Sequence, residues 1–174
     1  MAEITRKELV LALIAAGEHP RLAGLDLSGL QLQALDLHGA DLSGANLHGA
    51  DLHLVNLSGA VLRGAVLHST RLSSANLAEA DLTGADLTQS DLSGAILSNA
   101  ILRRACLRHA ILYRADLRGA ELVQADLVGA RLDESCLYGA DLAQADLLGA
   151  STIRADTRAA KLGGARMPDG TVHG

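Results

Sequence analysis

The chain has 174 residues, one domain's worth, and 49% of them are hydrophobic, yet it contains no Phe or Trp and only two Tyr. Its core must therefore be an aliphatic stack. The formal charge of −5 favours solubility but is too small to name a partner, and the longest apolar run, Leu9–Ala16, is far too short to span a bilayer.

The first predicted element is a short helix over residues 6–16. Thr5 stands at the N-cap with Glu8 three positions on, which is a capping box. Ile4 and Leu9 sit where a hydrophobic staple would be, and Gly17 is the expected stop. Arg6 and Lys7 before an apolar run faintly suggest a secretory leader. Glu3 and Glu8 spoil the basic segment that such a leader needs, so residues 1–19 read as a helical cap.

From Leu22 to Leu147 every fifth residue is leucine, 26 times without a miss, mostly within the text Ala-Asp/Asn-Leu-x-Gly, as in Ala40–Gly44. On an α-helix this spacing steps successive leucines by about 140°, smearing them around the cylinder. In a flat strand the odd spacing sends them to opposite faces. A chain that turns a corner once per five residues buries them all. With leucine at position i, i−2 (mostly Ala) and i point inward and i−1 (mostly Asp or Asn) points outward. Positions i+1 and i+2 form the corner, where the frequent Gly at i+2 tolerates a tight turn. Asp and Asn recur at i−1 because a short polar side chain there bonds nearby backbone.

These repeats, over roughly residues 20–167, resemble the pentapeptide-repeat family, whose signature is A-(D/N)-L-x-x, and its cyanobacterial-type members with an N-terminal helical cap most of all. The resemblance implies an all-β solenoid: a right-handed quadrilateral β-helix of about seven to eight coils, four units to a coil, capped by the short helix. The cap would cover the first coil's exposed core and strand edge. The first coil carries Leu25, Leu30 and Leu35 where later coils have Ala, extra bulk that suits packing beside a cap.

Departures from the repeat are few. Leu54 puts an apolar residue at a corner, and Val61 and Val66 replace Asp or Asn at i−1. His48 and His68 are expected to stack, with His38 and His53 on adjacent faces, but two imidazoles do not complete a metal site. Cys106 and Cys136 lie one and a half coils apart on opposite faces. They are expected to be free thiols, consistent with a reducing cytoplasm.

The middle departs most. Ile96, Ile101, Cys106 and Ile111 fill four consecutive i−1 positions, and segment 101–120 holds five Arg and one Asp. Ile96, Ile101 and Ile111 with Arg103, Arg104, Arg108, Arg114, Arg118 and Tyr113 form the candidate partner surface, a girdle for an acidic protein. The competing expectation is a solvated band paired with carboxylates on neighbouring coils, each pair contributing little. Arginines that encircle a rod almost without aromatics speak against a nucleic-acid track.

After Leu147 the repeat decays: Thr152 and Thr157 replace leucine before Leu162 and Met167 restore it, which suggests a looser or wetter last coil. The tail, residues 168–174, opens with Pro-Asp-Gly. It either folds over the terminal coil or leaves that coil as a candidate homodimer face. No catalytic, cofactor or metal motif emerges, and a smooth rod lacks a deep pocket. The expected function is a non-enzymatic, cytoplasmic scaffold for an unknown protein partner, without membrane association. The alternative comes from the resemblance. Some family members mimic B-form DNA, bind type II topoisomerase (gyrase) and confer quinolone tolerance. Here Val61, Val66, Arg71 and the Ile96–Ile111 turn interrupt the acidic columns, and no projecting loop or C-terminal dimerisation helix is evident.

Overall fold

The computed structural model describes residues 20–174, together with Thr5 and Glu8. From Arg21 onward each five-residue unit has one shape: a bridge residue at i−1, the inward residue i, and a two-residue turn. Twenty-six parallel bridges each join a residue to the one 20 positions later, from Arg21–Asp41 to Asp146–Arg166. Four units therefore close one coil. The coils stack as a right-handed quadrilateral β-helix of just over seven turns. At about 4.8 Å per coil the stack is about 35 Å tall. We number the faces by their first leucine: Leu22 on the first, Leu27 on the second, Leu32 on the third and Leu37 on the fourth.

The interior follows the predicted phase. All 26 leucines are buried, none more than 4% exposed, and the i−2 alanines from Ala40 to Ala150 fill the space beside them. Thr70, Ser90 and Ser135 stand at buried i−2 positions. Each hydroxyl donates at 2.7 Å to the carbonyl of the preceding leucine, so no polar side-chain atom is stranded among the described residues. Leu25, Leu30 and Leu35 are half-buried against the core.

Backbone hydrogen bonding explains the recurring Asp and Asn. In residues 41–45, Asp41 N–H donates to Pro20 O one coil back, and Leu42 and Gly44 donate to Val61 O and Arg63 O one coil on. Ala45 N–H closes the corner on Leu42 O at 3.0 Å. The remaining donor, Ser43 N–H at i+1, goes to Asp41 Oδ1 at 3.0 Å. Fifteen such contacts recur at 3.0–3.2 Å, with Asn serving as well as Asp. The i−1 side chain thus satisfies the one backbone donor that the coil leaves unpaired. The i+2 residue of every corner from Gly24 to Gly164 has φ between 55° and 72°. Glycine takes this conformation without strain, and fifteen other residues accept it. One is Leu54, at φ 59° and 56% exposed.

At the N-terminal end Thr5 N–H donates to Glu8 Oε2 at 2.8 Å and Glu8 N–H to Thr5 Oγ1 at 3.3 Å, so the reciprocal capping box is formed. The rest of the expected 1–19 cap, including Ile4, Leu9 and Gly17, lies outside the described residues.

The C-terminal coil keeps its regular bridges through Arg166. Thr152 is half-buried and Thr157 exposed. The last coil is therefore wet but not loose: among the described residues no further coil covers its interior, and threonine suits a layer that meets water. The tail turns back: Val172 pairs antiparallel with Arg166, and Gly164 and His173 N–H donate to His173 O and Ala165 O. It covers the edge of the second face. On the other three faces Thr152, Thr157 and Leu162 N–H have no backbone acceptor among the described residues.

Candidate functional site

The girdle is built where the repeat drops its carboxylates. Ile96, Ile101, Cys106 and Ile111 bridge to Asp116, Glu121, Asp126 and Arg131 of the next coil, one on each face. Ile96 is 43% exposed and the other three are half-buried. None carries an oxygen, so the N–H groups of Ser98, Arg103, Arg108 and Tyr113 lack the side-chain acceptor that their counterparts have in neighbouring coils. An aliphatic turn therefore leaves four backbone donors facing outward, one per face.

The arginines lie on all four faces and make three kinds of contact. Arg118 holds the carboxylate of its own unit: its N–H, Nε and Nη2 donate to Asp116 at 3.1, 2.8 and 2.6 Å. Arg158 repeats that clamp on Asp156 at 3.2, 2.8 and 2.8 Å. Arg103, Arg108 and Arg114 have no carboxylate in their own unit and reach the next coil instead, meeting Glu121 at 2.7 Å, Asp126 at 2.8 Å and Glu134 at 2.8 Å. Arg104 differs again. Its Nε donates to the neutral amide of Gln124 at 3.0 Å, and Gln124 passes the chain on to Gln144 at 2.8 Å. Arg104 has no carboxylate partner among the described residues.

Charge pairing is mutual where it occurs. The bond to Arg118 holds Asp116 below the usual carboxylate range, Arg114 does the same for Glu134, and Arg158 lowers Asp156 to about 2. The guanidinium pKa values of Arg103, Arg108, Arg114 and Arg118 are raised by the carboxylates they hold. All these arginines are largely exposed, so water screens each pair and it contributes little to stability. Tyr113 lies under Arg114, with the guanidinium carbon 5.0 Å from the ring centroid. His109 lies across Gly129.

The coil register adds residues that the sequence reading did not include. A surface groove of about 330 Å³ on the first face is lined by Thr83, Arg103, Arg104, Val123 and Gln124. The 20-residue spacing of Arg104, Gln124 and Gln144 is the sequence signal for the ladder that forms one wall. His48 and His68 stack with centroids 5.2 Å apart and planes 14° from parallel. Nitrogens in parallel rings that far apart do not converge on one ion about 2.0 Å from each. No group of three metal-ligating side chains occurs among the described residues. Cys106 and Cys136 are unpaired and half-buried on opposite faces.

This architecture, a stack of five-residue corners with an aliphatic interior and a mostly polar surface, defines a solenoid repeat protein. The sequence model described as pentapeptide repeats (8 copies) matches residues 20–59, 40–77, 50–89, 75–112 and 110–149, and the chain belongs to the pentapeptide-repeat family. Trypsin-treated QnrB1, a plasmid-mediated fluoroquinolone resistance protein, is 18% identical over 86% of this chain and 74% of its own, with a TM-score of 0.69. A pentapeptide repeat protein from the cyanobacterium Cyanothece is 23% identical over 95% of this chain and 99% of its own, with a TM-score of 0.50. HetL, involved in heterocyst differentiation regulation in the cyanobacterium Nostoc, is 29% identical over 98% and 100% of the two chains, with a TM-score of 0.35. No curated protein matches. No helix among the described residues is long and apolar enough to cross a membrane.

Proposed function

We propose that this pentapeptide-repeat protein is a non-enzymatic interaction scaffold that holds a protein partner against the girdle between Ile96 and Arg118. One observation carries the reading. Four successive outward positions, one whole turn, give up the side-chain oxygen that completes the corner in most other units, exposing aliphatic surface and backbone donors in the same band. A fold stabilised by its interior has no need of that exchange. The two unpaired thiols fit a reducing compartment, and we place the protein in the cytoplasm. For self-association we assign the contact to the uncovered edges of the last coil, near Thr152, Thr157 and Leu162.

The alternative, a DNA-like ligand for type II topoisomerase, draws on QnrB1, whose likeness to this chain is one of fold. Against it stand the arginines across the middle of the rod and the Val61, Val66 and Arg71 breaks in the acidic columns.

Affinity capture from the native host tests the scaffold reading, comparing the native chain with an Ile96→Ser, Tyr113→Ser, Arg118→Ser variant. A partner retained by the first and lost from the second supports it. Equal capture by both overturns the assignment of the girdle. Inhibition of gyrase supercoiling by the purified protein would establish the alternative.

A further inference from the structure

We propose that the corner formed by Arg103 and Arg104 on the first face receives a carboxylate side chain from the protein partner, in the place that the chain's own aspartate takes in other coils. This rests on the scaffold reading and names the chemistry that one of its corners recognises.

The chain carries its own template. Where Asp stands at i−1 and Arg at i+1, the carboxylate is held at three points, by the i+1 N–H and by two guanidinium nitrogens, as in Asp116–Arg118 and Asp156–Arg158. Arg103 occupies the same i+1 position, but Ile101 stands at its i−1. The first-face column has Asp41, Asp81 and Asp141 at that position, each bonded to the N–H two residues on. At Ile101 the clamp has kept its donors and lost its acceptor. Arg103 Nε turns to Glu121, which neutralises one charge of the corner.

Arg104 supplies the second guanidinium, bound among the described residues to the neutral Gln124. The groove at this corner therefore combines an uncapped N–H with one unneutralised cation, beside the apolar flank of Val123. Glu121, Asp81 and Asp141 lie on the same face, paired with Arg103, Arg63 and Lys161. A polyanion meets all of those carboxylates along its length, whereas a single carboxylate between apolar neighbours meets only the charges at this corner. An isolated Asp or Glu in an apolar segment of the partner is the matching group. Charge-assisted bonds to a guanidinium and a backbone N–H hold it in a defined orientation.

The test is a ¹⁵N NMR titration of the full chain with an N-acetylated, C-amidated Gly-Val-Asp-Val-Gly peptide. The Arg103 amide and the Arg104 Nε–H are expected to shift saturably, the Arg118 amide, already capped by Asp116, to stay still, and the Asn version of the peptide to give no shift. Ile101→Asp installs an internal carboxylate that Asp41, Asp81 and Asp141 show this column accommodates. That variant is expected to fold and to lose the response, and Arg104→Gln to weaken binding about tenfold, the loss of one charge-assisted contact. An unaltered response in Ile101→Asp, or equal shifts with the Asn peptide, overturns the proposal. So does inorganic phosphate saturating the corner at lower concentration than the peptide. Partner capture that survives Ile101→Asp but not the triple serine variant would leave the scaffold reading standing and remove this one.

Discussion

Leu97→Ala tests the fold's main source of stability. Leu97 is 1% exposed on the fourth face, one coil after Leu77 (0%) and one before Leu117 (1%). The substitution removes three carbons, about 2.4 kcal/mol of transfer free energy at about 0.8 kcal/mol each. The void adds to this, because the coil cannot close around it. Backbone bonds of 2.7–2.9 Å from Leu77, Ile96, Leu97 and Asp116 pin the neighbouring layers at fixed separation. The sum is about 3–4 kcal/mol, within the range measured for buried leucines. Urea unfolding followed by far-ultraviolet circular dichroism measures it. Leu162→Ala, on the half-buried end layer, serves as the companion and is expected to cost less than about 1.5 kcal/mol, since water already reaches one side. A Leu97→Ala loss below about 1 kcal/mol with an unchanged denaturant slope would refute a rigid, interlocked leucine stack.

Deleting Thr88 alone should abolish folding of the coils that follow, since every later leucine slips out of phase. Deleting residues 81–100, one whole coil, should leave a folded, shorter rod, and equal melting of the two deletions would contradict the 20-residue register. Acid should destabilise the chain through carboxylates whose folded pKa values are depressed, such as Asp41 by the Ser43 hydroxyl and Asp156, at about 2, by Arg158. Their contribution is complete above the ordinary values of 3.8 for Asp and 4.5 for Glu, and falls away as pH drops towards about 2. The urea midpoint should hold from pH 7 to 5 and then decline. Asp41→Asn keeps a side-chain acceptor for the turn, as Asn46 does, and should decline less; an identical profile would show that the turn carboxylates are not responsible. Gly129→Ala places a Cβ 2.5 Å from His109 Nδ1, whereas Gly139→Ala meets nothing within 4 Å at a similar φ. His109 is exposed and its ring swings aside at the cost of a rotamer, so the first should be less stable by no more than about 1 kcal/mol, with His109→Ser removing the difference; thermal melts of the variants decide it.

The five-residue period determined a great deal by itself. An odd spacing that fits neither helix nor flat strand leaves a cornered coil as the arrangement that buries every leucine, so the inward, outward and corner roles of Leu97, Ile96 and Arg104 were legible in the chain text. The recurrence of Asp and Asn was legible too, as a preference for short side chains that bond backbone. Only the tertiary structure decided which residues meet across coils. Neighbours along the rod are 18 or 20 residues apart, and such contacts depend on how many corners close a turn, which the local period leaves open. The pairing of Arg103 with Glu121, the clamp of Arg118 on its own Asp116, and the amide ladder that leaves Arg104 without a carboxylate all arise there. Five arginines that are alike in the sequence thus acquire different environments, because each meets whatever the next coil places beside it.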